Sequence, residues 1–197
     1  MLTRILFTLR DARAGNSLRD LWRNLRYYWH VREHGHLVLL ALAICFCVGL
    51  GLAIQQVVMA RSQNQELACL ALNVYHEARG EPLEGQYAVA QVTLNRVESR
   101  NYPDTICHVV YQKNWDWIRQ RDVAAFSWTL HTQQTLPDVS SDSWRQAWQV
   151  AEDVYTHPDL YHQRLAKALH YHARYVAPSW AEHKQHIAEI GQHIFYK

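Results

Sequence analysis

Hydrophobic and polar residues are distributed along this chain in three distinct ways. Residues 37–60, "LVLLALAICFCVGLGLAIQQVVMA", contain no charge, and only Gln55 and Gln56 interrupt the apolar run. At about 1.5 Å rise per residue, roughly 20 residues cross a hydrocarbon core of about 30 Å, so this stretch is long enough to be a transmembrane helix. From Glu66 the apolar residues recur at helical spacing instead: Leu67, Leu70, Ala71, Val74 and Ala78, with Gly80 and Pro82 as a stop. A second helix is expected from about Glu84 to Glu98, with Val89, Val92 and Val97 on its buried side. "SSDSWRQAWQVAEDVY" opens with N-cap residues and sets Ala147, Val150, Ala151 and Val154 on one face. Near the C-terminus, alternating runs around Tyr171 and Ile194 point to strands. The expected architecture is α+β and mainly helical, with a small β-sheet, preceded by one transmembrane helix. Its parts are an arm (1–36), the span (37–60), a polar linker (61–65) and a domain (66–197).

Charge sharpens this division. The arm holds seven arginines, at 4, 10, 13, 19, 23, 26 and 32, against Asp11, Asp20 and Glu33, a net of +4. Residues 66–197 hold twelve Lys and Arg against fifteen Asp and Glu, a net of −3, so nucleic acid is not an expected partner of the domain. An arm of 36 residues is too long for an ordinary signal-peptide n-region, which favours a retained anchor. Arginine concentrated before the span places the N-terminus in the cytoplasm and the domain outside it. Cys45 and Cys47 fall in the span, whereas Cys69 and Cys107 belong to the domain. Whether the latter two join depends on their separation in the fold.

The most informative stretch is "YHEARGEP", residues 75–82. Glu77 follows Val74 by three positions, so its carboxyl emerges near the buried stripe at the helix end. Partial burial and the negative end of the helix dipole both raise a carboxyl pKa, as a general acid near neutral pH requires. Arg79 opposes this if it faces the same carboxylate. Taken alone, the cluster reads better as a solvated helix end with weak surface ion pairs than as a site. The zinc-protease pattern fails, because its second histidine would occupy position 80, which is glycine. The pairs His170/His172 and His183/His186 lack a carboxylate or cysteine at recognised ligand spacing. Ser127 in "FSWT" lacks the glycines of a nucleophile elbow, and Cys107 and His108 are adjacent and face apart. Aromatic residues are abundant: Trp144 and Trp148 read as core, while Trp128 and Trp180 are better placed to stack on sugars.

In order along the chain, "ALNVYHEARGEPLEGQYAVAQVTLNRV", "YPDTICHVVYQ", "FSWT", "ALHYHARYVAPSW" and "IGQHIFY" resemble the cell wall hydrolase family typified by spore cortex-lytic enzymes. The resemblance covers residues 66–197. It implies a lysozyme-like catalytic domain that cleaves peptidoglycan glycan strands between N-acetylmuramic acid and N-acetylglucosamine. It further implies lytic transglycosylation by a single glutamate, matching Glu77, with no cofactor or metal. Glu81 is the runner-up for the acid. By the same resemblance Arg79 orders the loop or pairs with Glu81, and Gln86 and Asn95 offer amides to acetamido groups. Phe126, Ser127 and Trp128 line the cleft; Tyr171 and His172 match a "YH" element beside the acid; and Trp180 stacks or packs. Family members pass quickly from "VVYQ" to "FSWT", whereas here "KNWDWIRQRDVAA" intervenes with Trp115, Trp117, Arg119 and Arg121. The expected location is the bacterial inner membrane with the domain periplasmic, where free lytic activity calls for control by a regulatory protein partner. Two other readings stay open: a non-catalytic peptidoglycan-binding scaffold, and an amidase that cuts between muramic acid and peptide, chemistry that usually needs zinc.

Overall fold

The computed structural model describes residues 18–31, 35–117, 120–131, 136–158 and 165–197, in two units that divide between Val58 and Met59. In the first unit, helix α1 (Leu18–Val31) carries Leu21, Trp22, Leu25, Tyr28 and Trp29 at helical spacing, all well exposed. Helix α2 (Gly35–Ala78) begins with the apolar stretch, whose large side chains are all more than half exposed. Residues 61–65, expected as a linker, are helical: Arg61, Gln63 and Gln65 are good helix formers and neither Gly nor Pro interrupts the stretch.

The second unit is built around the last turns of α2. Cys69, Leu70, Ala71 and Val74 pack with Ala90 of α3 (Leu83–Glu98), Ile106 and Val110 of α4 (Ile106–Val110), and Ala147, Val150, Ala151 and Val154 of α5 (Asp142–Thr156). The interface is mostly small residues. Tyr87 on α3 donates to Asp153 on α5 at 2.7 Å and closes the rim. Among the Ser and Asp residues that open this stretch, Ser141 caps α5 by accepting from the Trp144 amide. Cys69 and Cys107 form a disulfide, which answers the question left open by the sequence and ties α2 to α4. Beside it, the Glu66 carboxylate accepts from the Cys107 amide at 3.1 Å.

Helix α2 ends at Ala78, and Pro82, which has no amide hydrogen, precedes the first turn of α3. The connection is therefore only four residues, 79–82. Three antiparallel strands, β3 (His170–Ala173), β4 (His186–Ile190) and β5 (His193–Tyr196), form a sheet in the order β3-β5-β4. Phe195 and Tyr171 pack on Ala88 and Val92 of α3. Registers Tyr171↔Phe195 and Ala173↔His193 place the Tyr171, Phe195 and His193 side chains on this inner face.

Residues 113–125, read from sequence only as an insert, contain a separate hairpin of β1 (Lys113–Asp116) and β2 (Arg121–Ala124). Trp115 and Trp117 stand in T-shaped contact near its tip, and Trp117 is 78% exposed. Arg119 lies outside the described residues.

Candidate active site

Glu77 occupies the last turn of α2, where the helical stripe that buries Val74 and Ala78 leaves its carboxyl partly covered. Burial raises its pKa above the usual carboxyl value. The hydrogen bond from Tyr171 and the positive charge of Arg96 pull it part of the way back. Tyr171 comes from β3, 94 positions further along the chain, and its hydroxyl donates to Glu77 Oε2 at 3.1 Å. Burial first, and then the Glu77 charge, push the Tyr171 phenol well above its ordinary range, so it remains a donor across neutral pH.

Arg96 is the functional neighbour that sequence reasoning missed. It is 9% exposed, donates from Nε to the Leu169 carbonyl at 2.8 Å, and lies over the rings of Tyr102 and Phe126. A signal for it does exist. Arg96 falls four residues after Val92 and seven after Val89, so a cation sits on the buried stripe of α3, where charges are rare unless used.

The other expected site residues divide into groups. Phe126 is buried beneath Arg96, and Ser127 is exposed at the start of a 3-10 turn, Ser127–His131. Trp128 stacks on His76, the residue before Glu77, with ring centroids 4.4 Å apart, and donates from Nε1 to Asn73 Oδ1 at 3.2 Å. Asn73 in turn donates to Thr93 at 3.1 Å, so Trp128 is anchored to the helical core. Arg79 lies over the Tyr75 ring, 4.8 Å from its centroid, and it is Arg96 whose charge bears on Glu77.

Several residues expected to touch substrate are spent internally. Asn95 is 4% exposed; its amide donates to the Leu165 and Ala168 carbonyls and its oxygen accepts from Gln91. It holds the segment leading into β3 and cannot greet an acetamido group. Gln86 is 2% exposed and donates to the Glu81 carbonyl at 3.1 Å, which orders the turn between α2 and α3. Glu81 accepts the Gln192 amide at 2.7 Å and faces His193 at 3.9 Å. His172, next to Tyr171, points to the outer face of the sheet because strand side chains alternate. There its Nδ1 donates to the Ala173 carbonyl, leaving Nε2 to accept from the Tyr196 hydroxyl at 3.0 Å. Trp180 packs among His170, His172 and Tyr196 on that same outer face. Burial, then the charges of Lys184 and Arg96, lower His170 to about 4, so it is neutral at neutral pH. The structure therefore brings Tyr171 to Glu77 and takes His172 and Trp180 elsewhere.

The arrangement is that of a small α+β domain, and solved structures share it. The catalytic domain of the germination-specific lytic transglycosylase SleB from Bacillus anthracis is similar with a TM-score of 0.50 and 29% identity, over 67% of this chain and 93% of that one. The catalytic domain of the Bacillus cereus SleB protein is similar with a TM-score of 0.51 and 30% identity, over 68% and 91%. A curated relative, the spore cortex-lytic enzyme of Bacillus subtilis, is 31% identical over 134 residues, which is 67% of this chain and 37% of the relative. That of Oceanobacillus iheyensis is 53% identical over 51 residues, 18% of its length. The chain thus spans well under half of either relative. The model of the Cell Wall Hydrolase family matches residues 80–196, and the chain belongs to that family. Because this match begins at Gly80, the place of Glu77 in the site rests on the geometry above.

Proposed function

We propose that residues 66–197 cleave the glycan strand of peptidoglycan between N-acetylmuramic acid and N-acetylglucosamine as a lytic transglycosylase, with Glu77 as acid and then base. The observation that carries this reading is a partly buried carboxyl with a raised pKa that accepts a hydrogen bond from the Tyr171 hydroxyl. Neutral Glu77 donates its proton to the bridging oxygen. The bond from that oxygen to the muramic acid C1 breaks, and the N-acetylglucosamine side leaves as an alcohol. The muramic acid 6-hydroxyl oxygen then bonds to C1, and its proton passes to Glu77, which restores the acid and yields a 1,6-anhydro sugar. No water is consumed and no second carboxylate is needed, unlike the pair used in glycoside hydrolysis. The Tyr171 hydroxyl stabilises the carboxylate formed after the first transfer, and the Arg96 charge acts in the same direction. The relatives bear on this reading through their names, which describe cortex lysis and lytic transglycosylation.

Residues 37–60 are proposed as a bilayer span, with the arginine-rich arm cytoplasmic and the catalytic domain outside the cytoplasm. Two features support this: the length of the run and the exposure of its apolar side chains. Digestion of purified sacculi followed by mass spectrometry tests the chemistry. The expected product is a disaccharide peptide lighter by one water than its hydrolysed counterpart. A product with a free reducing end would assign hydrolysis instead, and release of peptide without glycan cleavage would assign amidase chemistry.

A further inference from the structure

The acid and its hydroxyl partner lie far apart in sequence, so something must hold the strand bearing Tyr171 against the end of α2. We propose that Glu81 is this positioning residue: its carboxylate, four residues after Glu77, clamps the β4–β5 turn and thereby sets Tyr171 against the acid. This inference rests on the glycan-cleaving reading above.

Three contacts carry it. Glu81 Oε2 accepts the Gln192 amide at 2.7 Å, a hydrogen bond across 111 positions of chain that joins the α2–α3 turn to the β4–β5 turn. Gly191, at φ +58°, occupies the left-handed region that glycine tolerates best. A β-carbon there would lie 2.1 Å from Glu81 Oε2 and 3.1 Å from Pro82 Cδ, so the turn is seated on the carboxylate itself. His193, the next residue of β5, is 7% exposed and faces Glu81 Oε1, and its ring meets Tyr171 edge to face at 5.2 Å. The path from Glu81 to Tyr171 is therefore continuous: carboxylate, turn, His193 ring, Tyr171 ring. It returns to Glu77 through the 3.1 Å hydroxyl bond. The Glu81 backbone closes the loop, since its amide donates to the Ala78 carbonyl at the end of the helix that bears Glu77.

A clamp and an acid respond differently to the same isosteric change. Glutamine keeps an oxygen for the Gln192 amide and offers an NH2 to His193 Nδ1, which is buried without a hydrogen-bond partner. It cannot donate a proton to a leaving group. Glu81→Gln is therefore expected to retain most of the wild-type rate on sacculi, whereas Glu81→Ala loses about ten- to a hundredfold in kcat, the scale of a small misplacement of catalytic groups. Loosening the Tyr171 bond also moves the alkaline limb of the rate profile upward, as Tyr171→Phe does, because that bond favours the ionised carboxyl. In the double variant Glu81→Ala/Tyr171→Phe the two losses overlap instead of multiplying. Thermal melting of each variant confirms that folded protein is being compared. An inactive Glu81→Gln, or fully multiplying losses in the double variant, would overturn the clamp. If Glu81→Ala does not fold, Glu81→Gln alone decides: retained activity with an unmoved pH limb supports the clamp, and abolished activity makes Glu81 the acid. Wild-type protein that releases no glycan product would instead sink the activity reading, an outcome separate from either.

Discussion

The last turn of α2 and the four-residue connection after it each present a glutamate, and the two have opposite fates. Glu77 has a hydroxyl donor, partial burial and a raised pKa. Glu81 has a backbone amide at 2.7 Å, a histidine beside its other oxygen and a glycine turn seated on it. Both belong to one charged cluster in the sequence, and each is well placed for acid chemistry if only spacing is considered. The difference lies in donors. A carboxylate that accepts a backbone amide is committed to geometry, whereas one that is desolvated with few donors is held ready to take a proton.

This contrast breaks most sharply at Glu77. Glu77→Gln keeps the shape and removes the proton, so glycan release from sacculi should fall by about a thousandfold or more, within the range for loss of a general acid. Near-normal turnover, read by muropeptide chromatography, would make the wrong carboxyl the acid. Next in size is the seat of the clamp. Gly191→Ala combines a positive φ with a β-carbon inside van der Waals range of Glu81 and Pro82, and should cost about 2–4 kcal/mol in urea unfolding. An unchanged midpoint would show that the turn yields easily and that the clamp is loose.

A smaller effect is expected at the hydroxyl that joins the two regions. Tyr171→Phe should slow cleavage by about tenfold, one hydrogen bond to a charged group, and shift the alkaline limb of kcat/KM to higher pH. A downward shift would mean that the hydroxyl favours the neutral acid. The smallest effect concerns stability. Glu77 has a raised folded-state pKa, so its contribution is fully present below the ordinary carboxyl range and is lost as pH rises through the raised value. Glu77→Gln does not titrate there. The variant should match wild type in urea at about pH 4 and exceed it at about pH 7. A gap that widens on acidification would reverse the sign of the burial effect.

Much of the frame was legible in the sequence because it depends on local periodicity. The stripe Leu67 to Ala78, the helix from about residue 84 to Glu98, a Ser or Asp cap at the start of α5 and the strands around Tyr171 and Ile194 all follow from spacing and capping, and all are present. The hairpin at 113–125 was not legible. Its first strand reads Lys-Asn-Trp-Asp and is largely exposed, so no apolar alternation marks it. Strand β4 was missed for a related reason: it is an edge strand whose His186 and Glu189 side chains stay in water. Within the candidate site, Glu77 was singled out from its place beside the stripe and Tyr171 through the family resemblance, and the structure sets the two in hydrogen-bond contact. Asn95 and Gln86 were misread as ligand amides, because a sequence shows that an amide is available but not that backbone carbonyls have already taken it.

The sequence alone determined the helical stripe that ends at Ala78, the helices that became α3 and α5, where α2 stops, and that an acidic cluster lies at the end of that stripe. These are consequences of neighbours within about four residues, where side-chain period and caps decide. Only the tertiary structure decided which glutamate faces Tyr171 and which grips the Gln192 amide, that Cys69 meets Cys107, and that Arg96 lies buried beside the acid. Each of these partners is tens of positions or more away along the chain. A carboxyl's chemistry is set by the donors and the solvent that reach it, and packing brings those to it.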